Sequence, residues 1–567
     1  MAVIDVERNA QPSQPEGDDA ESVGEFAAAC LRANGVSTVF GIPGTHNIEI
    51  YRGLQRYGIR HILTRHEQGA VYAADGYARA TGRPGVVVAT SGPGVTNCIT
   101  GIANAYADSI PVLVLSPGPA RGEERRDLGF LHEAKDQRSG MDNFAGRSVR
   151  VESREALEQA IHGAFLSWRT DRARPVHVEI PTDLIAERSP VAQTSAWQGA
   201  PPVPAAEALS AVIGALQDAV RPIIIAGGGC LDHSAALTAF VDATQIPVVT
   251  TLQGKGSVDE RHPLACGALA GSTSGFAPVA RADLILALGT ELKSAEIARH
   301  ARVARFDIDP AQLHKHHVSA LPVLGDVGAA LTAMLAHPGF PEMPFSSEWR
   351  NGVLAEADAL RSGVDEEWAV LHQAISGAAE GTTKTPTVLT GDSSQISWLG
   401  TTRSAVLDGP RQFLSTDGFA TLGYGLPAAI GAKLARPEAA VVGMMGDGAL
   451  MFSVQELATA SEIGLSLPVV VFDNGGYAEI RKNMGDAGIV PIAVDLARPD
   501  YPALAAAFHC GFEAPATPSQ LAASVREALT AERPTVIVVD AGHFAGESWR
   551  LSRSISPAER GRDGEEG

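Results

Sequence analysis

The chain lacks a long uncharged apolar run. The nearest approach, Leu426 to Met445, is broken by Lys433, Arg436 and Glu438, so no membrane span is expected. Cysteine is scarce: five in 567 residues, at 30, 98, 230, 266 and 510, with no pair at CxxC spacing. That spacing supports neither a thiol redox motif nor a cysteine zinc site. An odd, scattered set suits a reducing compartment, and a cytoplasmic location is expected. Basic charge is in deficit, with 45 Lys and Arg against 65 Asp and Glu, a formal net charge of −20. A nucleic-acid partner needs a basic face, so none is expected. Small substrates are not excluded, because a local pocket can oppose the global field. The opening stretch has no basic segment followed by an apolar one, so residues 1–20 are expected to be a disordered leader rather than a secretory signal.

What is present points to an α/β protein. Glycine numbers 59, and 45% of residues are apolar against 19% charged, the balance of a globular chain. A chain of 567 residues exceeds one hydrophobic core, so about three domains are expected. Three blocks emerge, each alternating helical periodicity with short runs that are apolar on both faces. Residues 21–188 contain Val36–Phe40, Gly85–Thr90 and Pro111–Leu115. A proline-bearing linker, Ser189–Pro204, precedes a second block, 205–336, with runs at Pro222–Ala226, Pro247–Thr251, Asp283–Gly289 and Ala304–Asp309. The third block, 348–545, carries Ala439–Met445, Pro468–Phe472 and Thr535–Asp540, and a polar tail follows over 546–567. Runs of this kind predict parallel sheets covered by helices on both sides, hence three doubly wound domains.

Two segments carry chemistry. Gly446-Asp447-Gly448 ends a buried strand, and Asn474 follows 27 residues after the Asp, in Asp473-Asn474-Gly475-Gly476-Tyr477 at the end of the next strand. Open α/β sheets place ligands at those ends. The glycines let backbone approach a phosphate, and two adjacent strand ends with oxygen donors can share one Mg²⁺. A lone Gly-Asp-Gly is more often a turn; here strand, helix, strand and a second donor stand in register. The other segment, Arg65-His66-Glu67-Gln68-Gly69-Ala70, opens a helix. Its Glu67 reads either as a carboxylate favoured by the helix dipole or as a proton-sharing group in an apolar setting.

Together these segments resemble the site of thiamine-diphosphate (ThDP) enzymes. The resemblance implies Asp447, the Asn474 side chain and the Gly476 carbonyl as Mg²⁺ ligands, with Gly446 and Gly448 beside the diphosphate. The family usually has Asn-Asn where this chain has Asp473-Asn474. Arg65–Ala70, Ala73–Arg79, Thr90–Asn97 and Ala105–Pro111 resemble the pyrimidine-binding domain of the acetolactate synthase group. That implies Glu67 as the partner of the aminopyrimidine ring nitrogen, generating the ylid that attacks a carbonyl. Asp417–Pro427 also matches, implying the Ala420 carbonyl as acceptor for the 4′-amino group and Leu422 as the residue that bends the cofactor. In this family each site is built between subunits, so a homodimer or homotetramer is implied.

The reaction is left between readings. Gly41–Leu54, Leu131–Glu133, Asp136–Arg138, Gly391–Gln395 and Gly476–Arg481 resemble the 5-guanidino-2-oxopentanoate decarboxylases. That implies decarboxylation of a 2-oxoacid through an enamine. A cationic tail needs a carboxylate, for which Glu291, Glu296, Asp392 and Glu479 are candidates. Gln137 is a further candidate substrate contact, and His132 a candidate proton donor. The alternatives are carboligation of the acetolactate synthase type and a non-catalytic ThDP-fold scaffold. FAD, carried by many acetolactate synthases, is not expected: the run Thr290–Glu296 after the strand at 284–289 fits its binding segment poorly.

Overall fold

Strands that are apolar on both faces must be covered on both faces, and here they build three separate parallel sheets. The computed structural model describes residues 20–270, 275–293, 296–340, 347–363, 366–379, 386–542 and 544. Residues 1–19 of the expected leader and the tail from 545 lie outside them.

The first sheet runs, edge to edge, Arg60–Leu63, Thr38–Gly41, Gly85–Val88, Val112–Gly118, Val176–Pro181, Arg147–Arg150. The third runs Phe413–Ser415, Val388–Gly391, Val441–Gly446, Pro468–Asp473, Thr535–Asp540, Gly511–Glu513. Counted within its own domain, each has the strand order 2-1-3-4-6-5. The central sheet runs Val248–Thr250, Pro222–Ala226, Leu284–Leu288, Arg302–Asp307, Leu321–Leu324, the order 2-1-3-4-5. The order reverses between strands 1 and 3, and that crevice is where such sheets bind ligands. In the third domain it lies between the ends Gly391 and Gly446.

One boundary differs from expectation. Ala20–Ser22 pairs antiparallel with Arg188–Pro190, so Ala20 is not leader and Ser189 and Pro190 are not linker. Ser22 also caps the helix Val23–Ala33 with Glu25 in a reciprocal capping box. The pairing ties the two ends of the first domain together.

The first and third domains meet through two helices, Glu67–Thr81 and Gly425–Ala435. Their contact depends on missing side chains. A Cβ on Gly431 would stand 1.9 Å from the Ala73 carbonyl oxygen, and one on Gly76 would stand 2.3 Å from that of Ala428. Beside them Asp75 accepts from Arg79 Nε at 2.5 Å and from the Tyr424 hydroxyl at 2.7 Å. Arg79 also reaches Asp108 at 2.9 Å. Buried charges persist only when paired in this way.

A second clamp is Glu456, fully buried, on the helix Glu456–Glu462. Its carboxylate accepts from the backbone N–H groups of Arg65 and His66, each at 3.1 Å, and from the Thr459 hydroxyl at 2.6 Å. It thus satisfies donors at the start of a helix belonging to another domain. Burial pushes its pKa up, opposed by these hydrogen bonds. Glu456→Ala is expected to lower unfolding stability by about 2–4 kcal/mol, since it strands buried donors; unchanged thermal and urea midpoints would contradict the clamp.

Candidate active site

Glu67 opens its helix because His66, in extended conformation, caps it: the His66 ring nitrogen accepts from the Gln68 N–H at 3.1 Å. The Glu67 side chain is buried, and its Oε2 accepts from Asn97 Nδ2 at 2.9 Å. The turn Thr90–Gly94 closes over it, so that a Cβ on Gly94 would lie 3.5 Å from Glu67 Oε1. The same turn carries His132 on its other flank: a Cβ on Gly92 would lie 2.8 Å from His132 Cβ. His132 has a left-handed backbone (φ 63°) and a buried Nδ1 with no partner. A non-glycine residue held there marks a constraint from its surroundings. The His46 ring meets it edge-on at 5.4 Å, with His46 Nδ1 2.6 Å from Ser91 Oγ. Desolvation, and then the neighbouring His132, hold the His46 pKa below the ordinary imidazole value.

Gln137 is buried beneath this turn. Its Oε1 accepts from Gly92 N at 2.7 Å, and its Nε2 donates to Glu179 at 2.7 Å and to the Pro117 carbonyl at 2.9 Å. Both ends of its amide therefore hold protein groups, and it shapes the turn from behind.

The second cluster lies at the strand ends of the third domain. Asp447 is buried with its pKa raised to about 6, first by desolvation and then by Asp473, while backbone N–H groups of Gly448 and Asn474 pull it down. Asn474 Nδ2 donates to Gln395 Oε1 at 3.1 Å, and Asn474 Oδ1 is buried with no partner. Gly446 N donates to Ser394 Oγ at 3.0 Å. The turn at Gly476 (φ 133°) needs glycine, since a Cβ would meet the Val494 carbonyl oxygen at 2.1 Å. The Gly476 carbonyl accepts from Ala478 N at 3.0 Å and, like any carbonyl, carries a second lone pair. Asp473, the departure from the usual Asn, is ion-paired to Arg498 at 2.7 Å, and Arg498 also holds Asp540 at 2.6 Å. One guanidinium thus serves two carboxylates, and the Asp473 charge is still felt at Asp447.

These residues fit a divalent cation and a diphosphate. An orphaned buried amide oxygen, a desolvated carboxylate without a counter-cation and a carbonyl make a hard donor set. Among the described residues no group of three or more His, Cys, Asp or Glu side chains is arranged for a metal. Leu422 is half-buried against the third-domain core, and Ala420, exposed with φ 53°, sits in the turn before it. Thr421 between them shares a 2.7 Å hydrogen bond with the Tyr72 hydroxyl of the Glu67 helix.

The candidate acids separate. Asp392 is buried, with its pKa raised to about 6 by desolvation, and accepts from Gly423 N at 3.2 Å, Gly425 N at 2.9 Å and Ser393 N at 2.8 Å. Both of its oxygens hold main chain, which fixes the Ala420–Leu422 turn. Glu291 stands apart at the joint with the central domain, paired to Arg172 at 2.6 Å and Lys315 at 3.1 Å. Arg172 and Lys315, in that order among its charged neighbours, hold its carboxyl below the usual range against desolvation. Glu479 is half-buried in the first turn of the helix Ala478–Asp486, beside the Asp447 loop, and accepts from Gln395 Nε2 at 3.4 Å. In the central domain the Gly227–Gly229 run packs strand ends: Gly227 N donates to the Leu288 carbonyl at 2.9 Å and Gly229 N to that of Gly289 at 3.2 Å. Sequence reasoning missed Asn97, His46, Ser394 and Gln395 as members of the site; all four lie in segments quoted for other reasons, and only tertiary contact singles them out.

A mixed oxygen donor set at the third-domain crevice, a buried glutamate in the first domain and matching sheet orders define a class. Residues 21–141 match the thiamine pyrophosphate enzyme N-terminal TPP binding domain, 209–334 the central domain and 392–539 the C-terminal TPP binding domain. The chain belongs to the thiamine pyrophosphate enzymes, whose cofactor is the ThDP named above. Among its relatives, a probable 2-ketoarginine decarboxylase AruI of Pseudomonas aeruginosa is 37% identical over 541 residues, 93% of this chain and 95% of that protein. A probable acetolactate synthase large subunit of Methanocaldococcus jannaschii is 30% identical, with 91% of each chain covered. An acetolactate synthase of Arthrospira platensis is 33% identical over 80% of this chain and 82% of its own. The scaffold reading is set aside by these relationships. No helix among the described residues is long and apolar enough to cross a membrane.

Proposed function

We propose that the protein decarboxylates a 2-oxoacid without oxidation, using ThDP and Mg²⁺, and that the substrate carries a cationic tail of the guanidinium type. The observation carrying this reading is the 37% identity, across nearly the whole of both chains, to a probable 2-ketoarginine decarboxylase. Asp447, Asn474 Oδ1 and the Gly476 carbonyl hold the cation; Gly446 and Gly448 let backbone approach the diphosphate. Bound ThDP supplies an electron sink for the carboxyl-bearing carbon. Glu67 holds the proton at the ring nitrogen, and Asn97 orients its carboxyl. His132, on the opposite flank of the Thr90–Gly94 turn from Glu67, donates the proton taken up when CO₂ leaves. The Thr90–Gly94 turn, buried except at Pro93, shields Glu67 from water.

Glu479 is the tail-binding carboxylate. Asp392 is occupied by main chain and Glu291 by two cations, whereas Glu479 is half-buried beside the metal loop. With Mg²⁺ and ThDP saturating, Glu479→Gln is expected to raise KM for a guanidinium-bearing 2-oxoacid about tenfold, the size of one charge-assisted hydrogen bond; KM for an uncharged 2-oxoacid should stay put. Equal effects on both substrates would remove Glu479 from the tail site.

The functional unit is a homodimer or homotetramer in the cytoplasm, each site shared between copies. Within one chain Glu67 faces Asn97 while the Asp447 loop is held by its own domain. Apolar side chains stand exposed around both: Leu131 at 64%, Phe419 at 47%, Phe452 at 49% and Ile480 at 48%. Exposed apolar groups gathered at functional loops are the mark of a covered surface. FAD has no part in the proposed reaction, and the engaged N–H groups of Gly227 and Gly229 support that.

The second reading, carboligation, is favoured by the acetolactate synthases among the relatives. Incubating the enzyme, ThDP and Mg²⁺ with a panel of 2-oxoacids decides between them. CO₂ with free aldehyde, fastest for the cationic member, supports the proposal; acetolactate from pyruvate supports the alternative. No CO₂ from any member would overturn both.

A further inference from the structure

We propose that Gln395 is a positioning residue that selects which face of the Asn474 amide meets the cation, and that Glu479 in turn fixes Gln395. The proposal rests on the reading that the Asp447 loop binds a divalent cation.

A primary amide presents an acceptor oxygen on one side and two N–H donors on the other, in nearly the same shape. Only the oxygen can bind a metal ion. An asparagine ligand is therefore useful only if something decides its orientation. Here the deciding contacts form a chain of fixed polarity. Glu479, in the first turn of the helix Ala478–Asp486, presents carboxylate oxygens, which accept. It takes the Gln395 NH₂ at 3.4 Å. The Gln395 oxygen is thereby turned toward Asn474 and accepts from its Nδ2 at 3.1 Å. Asn474 Oδ1 is left pointing away, buried and without a protein partner. An unpaired buried carbonyl oxygen is costly, so a fold that orients one deliberately provides for a ligand.

The backbone supports this role. Gln395 immediately precedes a single π-helical segment, Ile396–Thr401, a distortion often found at functional sites. Its neighbour Ser394 holds Gly446 N at 3.0 Å, so the loop that orients Asn474 is anchored to the loop that carries Asp447. The carboxylate proposed to meet the substrate tail thus also sets, through two amides, the polarity of the metal site.

The test measures Mn²⁺ binding to the ThDP-loaded protein by the electron paramagnetic resonance signal of free Mn²⁺. Gln395→Ala should weaken Mn²⁺ by about 10–100-fold, as loss of a ligand-orienting partner does. Glu479→Lys, a change at the start of a surface helix, should weaken it comparably, because a donor at that place reverses the chain. A carboxylate has no wrong face, so in an Asn474→Asp background the Gln395→Ala penalty should shrink to about threefold or less. Unaltered Mn²⁺ affinity in Gln395→Ala, or an equal penalty in both backgrounds, would overturn the proposal. Absence of Mn²⁺ binding by the unaltered protein would instead overturn the reading of the loop.

Discussion

Glu67→Gln should abolish turnover while leaving ThDP bound. The side chain is buried, its Oε2 takes a hydrogen bond from Asn97, and the Gly94 turn covers its other oxygen. Gln has the same shape and keeps one acceptor for Asn97. It cannot exchange a proton with a ring nitrogen. Proton transfer by a positioned side chain is worth about 10²–10⁴-fold, so CO₂ release at saturating ThDP should fall by at least that range. Cofactor affinity, measured by calorimetry with Mg²⁺ present, should change little, because the groups proposed to hold the diphosphate and cation lie in another domain. Turnover near the unaltered rate would remove Glu67 from the reaction. A parallel loss of ThDP affinity would make it a binding residue rather than a proton carrier.

The same separation explains what was legible in the sequence. Pro468–Asp473 and Thr535–Asp540 are buried almost throughout and read as strands at once. Arg60–Leu63 and Arg147–Arg150, the two edge strands of the first sheet, are half exposed, so no apolar run marks them. Asp447 and Asn474 were readable because one strand–helix–strand unit sets their spacing. Glu456 lies only nine residues beyond Asp447, yet it reads as an ordinary helix acid. Its burial against the Arg65 and His66 backbone depends on a contact across about 390 residues, and no local pattern encodes it. Asp392 and Glu291 were fair candidates for a cationic tail on charge alone. Hydrogen bonds to Gly423 and Gly425 occupy one, and Arg172 and Lys315 occupy the other. Composition reports which acids exist; packing decides which of them still has a free oxygen.

Asp447→Ala should eliminate Mg²⁺-dependent ThDP binding, and the pH behaviour of the isosteric Asp447→Asn should show why. The Asp447 pKa is raised to about 6, first by desolvation and then by Asp473. A cation needs the ionised form, so in the unaltered protein Mg²⁺ affinity should fall about tenfold per pH unit below that value. Without metal the sign reverses for stability. A folded carboxyl that holds its proton more tightly than the unfolded one favours the fold at low pH. That contribution is lost as pH rises from the unfolded value, near 4, through 6. Asp447→Asn should therefore raise the melting temperature of the metal-free protein at pH 7 and leave it nearly unchanged at pH 4. Equal shifts at both pH values would contradict a desolvated, charge-starved carboxylate. Co-expression of Asp447→Ala with Glu67→Gln then addresses the assembly. If each site takes Glu67 from one copy and Asp447 from the other, a mixed dimer has one doubly defective site and one intact site. Random pairing yields half mixed dimers, so about a quarter of normal activity should return from two inactive variants. If both residues of a site come from the same chain, nothing should return.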